Sequence, residues 1–239
     1  MKKFVIAFFI FFFPSSFCRI LFKFFRITTV TIGKNVKVGY SIILCSKIVI
    51  DNNSLIGHMN FIKVREIYIE GGRIKHLNFF NGDINVEIKS GAWMHSFNKI
   101  TGSSLYKRTR FVLRENAIII MHHLFNCTDD IEIGEGCCIA GSGSQFWTHS
   151  FSLGENGDYR VDGPIVIGKK NYIGARSVIC AGIRTADFVT IGANTTITKN
   201  LDKPGLYVSQ EVRFISWNPD IAKEKLGAPV FDNVFRKIK

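Results

Sequence analysis

The sequence predicts an all-β fold. It reads as a parallel β-helix of short stacked coils, with an N-terminal apolar and amphipathic helical segment and a short C-terminal helix. Three observations predict this: aliphatic residues recur every six positions, a polar stretch interrupts that repeat once and late, and a phenylalanine-rich run precedes it.

The repeat comes first. Ile32, Val38, Leu44, Ile50, Ile56 and Ile62 stand six apart. A second frame runs through Ile88, Met94, Ile100, Tyr106, Val112 and Ile118, and a third begins at Ile133 and Ile139. The cleanest is Ile167, Ile173, Ile179, Thr185, Ile191 and Ile197, with Gly168, Gly174 and Gly192 directly after three of them. A period of six is neither the 3.6 of a helix nor the 2 of a plain strand. It suits a short strand and a turn, with three such units closing one coil and coils stacking at the inter-strand spacing. Side chains alternate along a strand, so the residue two before each aliphatic also points inward, as Ser177 and Val189 would. Glycine after the aliphatic is expected to ease the bend.

The ends are read by the same logic. Residues 4–13 are uninterrupted apolar after Lys2 and Lys3, and Pro14 breaks the run. Such a run is too short for a helix that crosses a bilayer. It resembles the core of an export signal, but no small-residue cleavage site follows. Phe17, Ile20, Leu21, Phe24 and Phe25 then fall on one helical face, with Arg19, Lys23 and Arg26 on another. A basic amphipathic helix suits contact with anionic lipid, and it also suits capping an open solenoid end. Both uses are compatible. Residues 1–26 are therefore read as a membrane-proximal segment, 27–216 as the β-helix with a loop at 150–164, and 217–239 as a tail. Asn218-Pro219-Asp220 marks the start of a short helix there.

Composition bounds the function. The 239 residues include 31 Lys and Arg against 19 Asp and Glu, a net charge of +12, which favours anionic partners. The basic residues are dispersed and no recognition motif is present, so nucleic acid is not expected. Six cysteines without a CxxC pair suit small buried positions in a reducing compartment.

The interruption carries the chemistry. After Ile139 the chain reads Ala-Gly-Ser-Gly-Ser-Gln-Phe-Trp-Thr-His, then a polar stretch to Gly163. His149 stands at the base of this loop. These sextets, together with the stretch 125–134 and Gln145-Phe146-Trp147-Thr148-His149, resemble the hexapeptide-repeat acyltransferases, in the branch of bacterial surface-polysaccharide O-acetyltransferases. The likeness covers most of residues 27–215 and is strongest over 131–200. It implies a left-handed coil, acetyl-CoA as co-substrate, no metal and a homotrimer. It also implies a histidine general base, here His149, oriented by Asn126 or Asp129, with Asp130 as a competitor. His122, His123 and Trp147 are candidates for contact with the acceptor. Ala175, Ala181, Gly182 and Ala193 would let the pantetheine arm approach, and Thr198, Lys199 and Arg213 would lie near its phosphates. The usual Gly-x-Pro-Ala-like stretch before that arginine is replaced by Ser209-Gln210-Glu211-Val212.

The reading is thus an O-acetyltransferase acting on a sugar hydroxyl of an O-antigen, a capsule or a lipid-linked precursor. Its expected place is the cytoplasmic face of the inner membrane. A sugar-nucleotide N-acetyltransferase and a non-catalytic β-helix scaffold stay open as alternatives. A three-histidine zinc enzyme on this fold is disfavoured, because Ile56-Gly57-His58 is not followed by its second histidine.

Overall fold

The computed structural model describes residues 2–102, 107–154, 157–209, 213–215, 229–231 and 234–235. The chain is a parallel β-solenoid with three faces. Face 1 holds seven strands, from Val30–Ile32 to Ile165–Ile167. Face 2 runs from Lys37–Val38 and ends on an antiparallel strand, Arg213–Ile215. Face 3 holds eight strands, one per coil, from Ile42–Ile43 to Thr196–Ile197. Residues of successive coils pair in register, as Ile48 with Ile67 and Phe61 with Phe79.

The six-residue repeat is the inward row. Ile50, Ile56, Ile62, Ile88, Met94, Ile100, Ile133, Ile139 and the whole set from Ile167 to Ile197 are buried. The frame slips in two places. In the first coil Ile43, not Leu44, points inward. Beyond Ile100 the frame shifts by one, so the inward residues become Leu113 and Ile119 in place of Val112 and Ile118; Tyr106 lies outside the described residues. Ser177 and Val189 are fully buried, as strand alternation requires.

The glycines after the aliphatics do not serve through unusual backbone angles. A Cβ on Gly174 would lie 2.5 Å from the Ala193 amide nitrogen, and one on Gly168 2.5 Å from the Ala186 carbonyl oxygen. They let adjacent corners touch. The left-handed turn positions fall to other residues, Asn35, Asn53, Asn116 and Asn194 among them.

One corner is held by a buried polar ladder between faces 2 and 3. Amides of Asn60, Asn78, Asn98 and His123 donate in turn to Ser41 Oγ, Asn60 Oδ1, Asn78 Oδ1 and Asn98 Oδ1, at 2.9–3.1 Å. The Ser144 amide continues it to His123 Nδ1 at 3.1 Å. Each side chain satisfies a backbone donor that the turn would otherwise strand.

Two helices close the N-terminal end: α1 (Lys2–Phe12) and α2 (Ser15–Phe24). Ile6, Ile10, Cys18 and Phe22 join the core, and the Val38 amide donates to Ser15 Oγ at 3.1 Å. The segment is therefore a cap. Its core face is not the stripe that the sequence emphasised: Ile20, Phe24 and Phe25 point outward, at 65%, 79% and 64% exposure. Among the described residues no helix is long and apolar enough to cross a membrane. The helix expected after Asn218 lies outside the described residues. Cys18, Cys45, Cys127 and Cys137 are buried, and all six cysteines are unbridged.

Candidate active site

The corner between faces 3 and 1 is made by residues 127–130 in one coil and, in the next, by 148–154 and 157–164. The predicted loop is an antiparallel hairpin, His149–Gly154 against Gly157–Asp162, rising from that corner. It starts at His149, which is half-buried with its ring edge-on to Trp147 at 6.0 Å and Phe151 at 5.7 Å.

The hydrogen bonds fix the tautomer. Thr148 Oγ1 donates to the Asn126 carbonyl at 2.6 Å and accepts the Asp129 amide at 2.9 Å. Its own proton is spent, so the Thr128 hydroxyl is the donor in the 3.0 Å contact between the two threonines. Thr128 Oγ1 then faces His149 Nδ1 at 3.2 Å as an acceptor, beside Asn126 Oδ1 at 3.0 Å. Nδ1 therefore carries the proton, and the Nε2 lone pair is available as a base.

The candidates for orienting His149 differ in whether they reach its ring. Asn126 reaches it, with Thr128 as a second acceptor that sequence reasoning missed. Asp129 does not: its buried carboxylate pairs with Lys107 and accepts the Asp130 amide at 2.6 Å. Asp130 is also engaged elsewhere, accepting the Arg110 amide at 2.9 Å. Both acids build the corner rather than the base.

Two histidines are likewise displaced from their expected role. His123 is 1% exposed inside the ladder and has no surface to offer an acceptor. Burial pushes its pKa down to about 4. His122 is exposed and stacks on Phe97 at 4.7 Å, but it sits on the corner between faces 2 and 3, across face 3 from His149. Trp147 does stand beside His149 on face 3, its indole N–H donating to Gln145 Oε1 at 2.8 Å.

The predicted cofactor residues divide between two corners. Ala181, Gly182, Thr198 and Lys199 follow face 3 strands and so share the corner of His149. Ala175 and Ala193 follow face 2 strands and lie on the other corner. Arg213 pairs through its backbone with Val208, and its side chain lies outside the described set. At the shared corner a Cβ on Gly163 would come within 2.7 Å of the Gly182 Cα, so the hairpin base lies directly on that coil. A Cβ on Gly182 itself would meet nothing within 4 Å. The result is a bare backbone surface on the same corner as His149, with the exposed Lys199 one coil beyond. That shape and charge fit an extended, phosphate-bearing thioester.

No family model matches the sequence, and no curated protein matches it. Solved structures do. The polysialic acid O-acetyltransferase OatWY aligns at 16% identity over 87% of this chain and 88% of its own, with a TM-score of 0.51. The polysialic acid-specific acetyltransferase NeuO aligns at 15% identity over 80% and 88%, with a TM-score of 0.51. A maltose O-acetyltransferase from Clostridium difficile aligns at 25% identity over 57% and 69%, with a TM-score of 0.43. By its three-faced coil and its match to the first two of these structures, the chain has the β-solenoid fold of those acetyltransferases.

Proposed function

We propose that the protein is an acetyl-CoA-dependent O-acetyltransferase that modifies a sugar hydroxyl of a bacterial surface polysaccharide, an O-antigen or capsule, or its lipid-linked precursor. The observation that carries this reading is His149 held by Asn126 at 3.0 Å on the corner that also exposes the bare Gly182 backbone. Acetyl-CoA, when bound, supplies an acyl group already activated as a thioester, so no acyl-enzyme is needed. Nε2 of His149 takes the proton of the acceptor hydroxyl as its oxygen attacks. Asn126 Oδ1 and Thr128 Oγ1 hold the Nδ1–H and stabilise the imidazolium that forms. His149 then returns the proton to the departing sulfur.

Thiol release over a panel of bacterial glycans, with wild type, His149→Ala and Asn126→Ala, tests the assignment. Loss of His149 is expected to lower kcat by about two to four orders of magnitude with acetyl-CoA binding retained. Loss of Asn126 is expected to cost about a hundredfold, through misplacement of the ring. Neither turnover nor acetyl-CoA binding by wild type would move the protein to the scaffold class. Transfer to an amino sugar alone would make it an N-acetyltransferase.

The reading includes a homotrimer at the cytoplasmic face of the inner membrane. An isolated two-stranded hairpin is barely stable in water, yet this one exposes Phe151, Leu153, Tyr159 and Val161. A neighbouring copy is the natural cover for it. Light scattering that returned a monomeric mass for the active enzyme would remove the trimer.

A further inference from the structure

We infer that the outer surface of face 3 is a binding platform for an extended, carboxylate-bearing glycan chain whose end is delivered to His149. This rests on the acceptor being a sugar, as proposed above, and adds where the rest of the chain lies.

Register places two outward rows along face 3. One runs Phe61, Phe79, Lys99, Leu124 and Gln145; the other runs Lys63, Asn81, Thr101, Asn126 and Trp147. The second row therefore ends on the residue that orients His149 and on the ring beside it. Phe61 and Phe79 stack at 5.3 Å, and the Lys99 ammonium lies 5.8 Å over the Phe79 ring. Phe79, Lys63, Asn81 and Lys99 are exposed.

Charge separates this face from its neighbour. On face 1 and its edges cations meet carboxylates: Lys89 pairs with Glu70 and Glu87, and Arg114 with Glu132. In the two rows of face 3 there is no Asp or Glu, and among the described residues neither Lys63 nor Lys99 has a carboxylate partner. Unpaired ammonium groups beside a stacked ring pair suit an occupant with both negative charge and flat C–H faces. A chain of sugar acids has both: its carboxylates meet Lys63 and Lys99, its ring faces pack on Phe61 and Phe79, and its hydroxyls bond Asn81 and Thr101. From Phe79 to the coil of His149 is three strand spacings, about 14 Å. Only a chain of several sugars spans that distance, so affinity has to grow with length.

The test is calorimetric binding, without acetyl-CoA, of polysialic acid and polygalacturonate fragments of graded length, against neutral maltooligosaccharides. Wild type is expected to bind the acidic chains more tightly as they lengthen, and less tightly as salt rises. In Lys63→Ala/Lys99→Ala the advantage of a long chain over a single sugar acid is expected to shrink about tenfold, as for two weakly screened charge contacts. Phe79→Ala should reduce the same advantage without changing its salt dependence. Wild-type affinity that does not vary with length, or variants that keep the full length dependence, would overturn the platform. So would cross-linking that finds face 3 covered by a second copy in solution. Because binding is read without turnover, length-dependent binding without thiol release would refute the transferase and leave the platform. Thiol release with short acceptors but no length dependence would do the reverse.

Discussion

His123 shows how one residue type serves two purposes in the same fold. His149 is half-buried at the hairpin base, and among the described residues its Nε2 has no hydrogen-bond partner. His123 is enclosed, and its Nδ1 accepts the Ser144 amide, which fixes it as neutral. Its pKa falls from 6.5 to about 4 because burial penalises the charged ring. The unfolded chain therefore binds more protons between those values. Stability is whole above about pH 6.5 and falls as pH drops toward 4. The loss between pH 7 and pH 5 is expected to be about 2 kcal/mol from this group. His123→Asn keeps an acceptor in the ladder, as Asn98 does one coil earlier, and removes the titration. Urea unfolding at both pH values checks it: the pH-dependent loss should shrink in the variant, and equal losses in the two proteins would refute the assignment. His122 and His123 are adjacent in sequence, and only their backbone directions part them. Nothing in the sequence marks which is enclosed, except that Asn60, Asn78 and Asn98 occupy the equivalent place in earlier coils.

At the scale of the strand and corner, most of the fold was legible because an inward aliphatic at every sixth position is a direct image of one strand per face. The reading weakened where a corner changed length. The extra residues before Thr109 shift the inward register by one, and composition gives no sign of it, since Val112 and Ile118 are as apolar as Leu113 and Ile119. The site was legible in part for a related reason. A polar interruption reveals His149, but the choice between Asn126 and Asp129 depends on which side chain turns toward the ring, and Lys107 decides that by holding Asp129. The glycines illustrate a different limit: their position was evident and their cause was not. Gly174→Ala puts a methyl 2.5 Å from a backbone nitrogen of the next coil, where no flexible side chain can give way. The coils must separate locally, at an expected cost of about 1–3 kcal/mol, read as a lower urea midpoint with an unchanged slope. If the close approach were not the reason for glycine there, alanine would be tolerated, because the backbone angles of Gly174 are ordinary.

For the whole molecule, the distribution of charge and aromatic surface along the solenoid axis gives the N-terminal end its character. The first acidic residue of the chain is Asp51, so the cap and the opening coil carry only positive charge. The cap meets its own core through Ile6, Ile10, Cys18 and Phe22, yet turns Phe4, Phe8, Phe12, Ile20, Phe24 and Phe25 outward. Helices that served only as a plug would expose polar residues there. Aromatic side chains flanked by Lys3, Lys23 and Arg26 suit the boundary of an anionic bilayer, entered from one side without crossing it. Docking by this end would stand the solenoid on the membrane with His149 toward the far coils, and a lipid-linked glycan would have to extend up the face to reach it. The expected outcome is that the full-length protein sediments with vesicles containing phosphatidylglycerol and not with phosphatidylcholine alone. Phe8→Ser/Phe12→Ser/Phe24→Ser should release it, because each substitution removes apolar area from the boundary while sparing the buried face. Turnover of a soluble acceptor should be retained in that variant, and modification of cellular glycan should fall. Equal sedimentation of variant and wild type would show that these rings do not meet lipid.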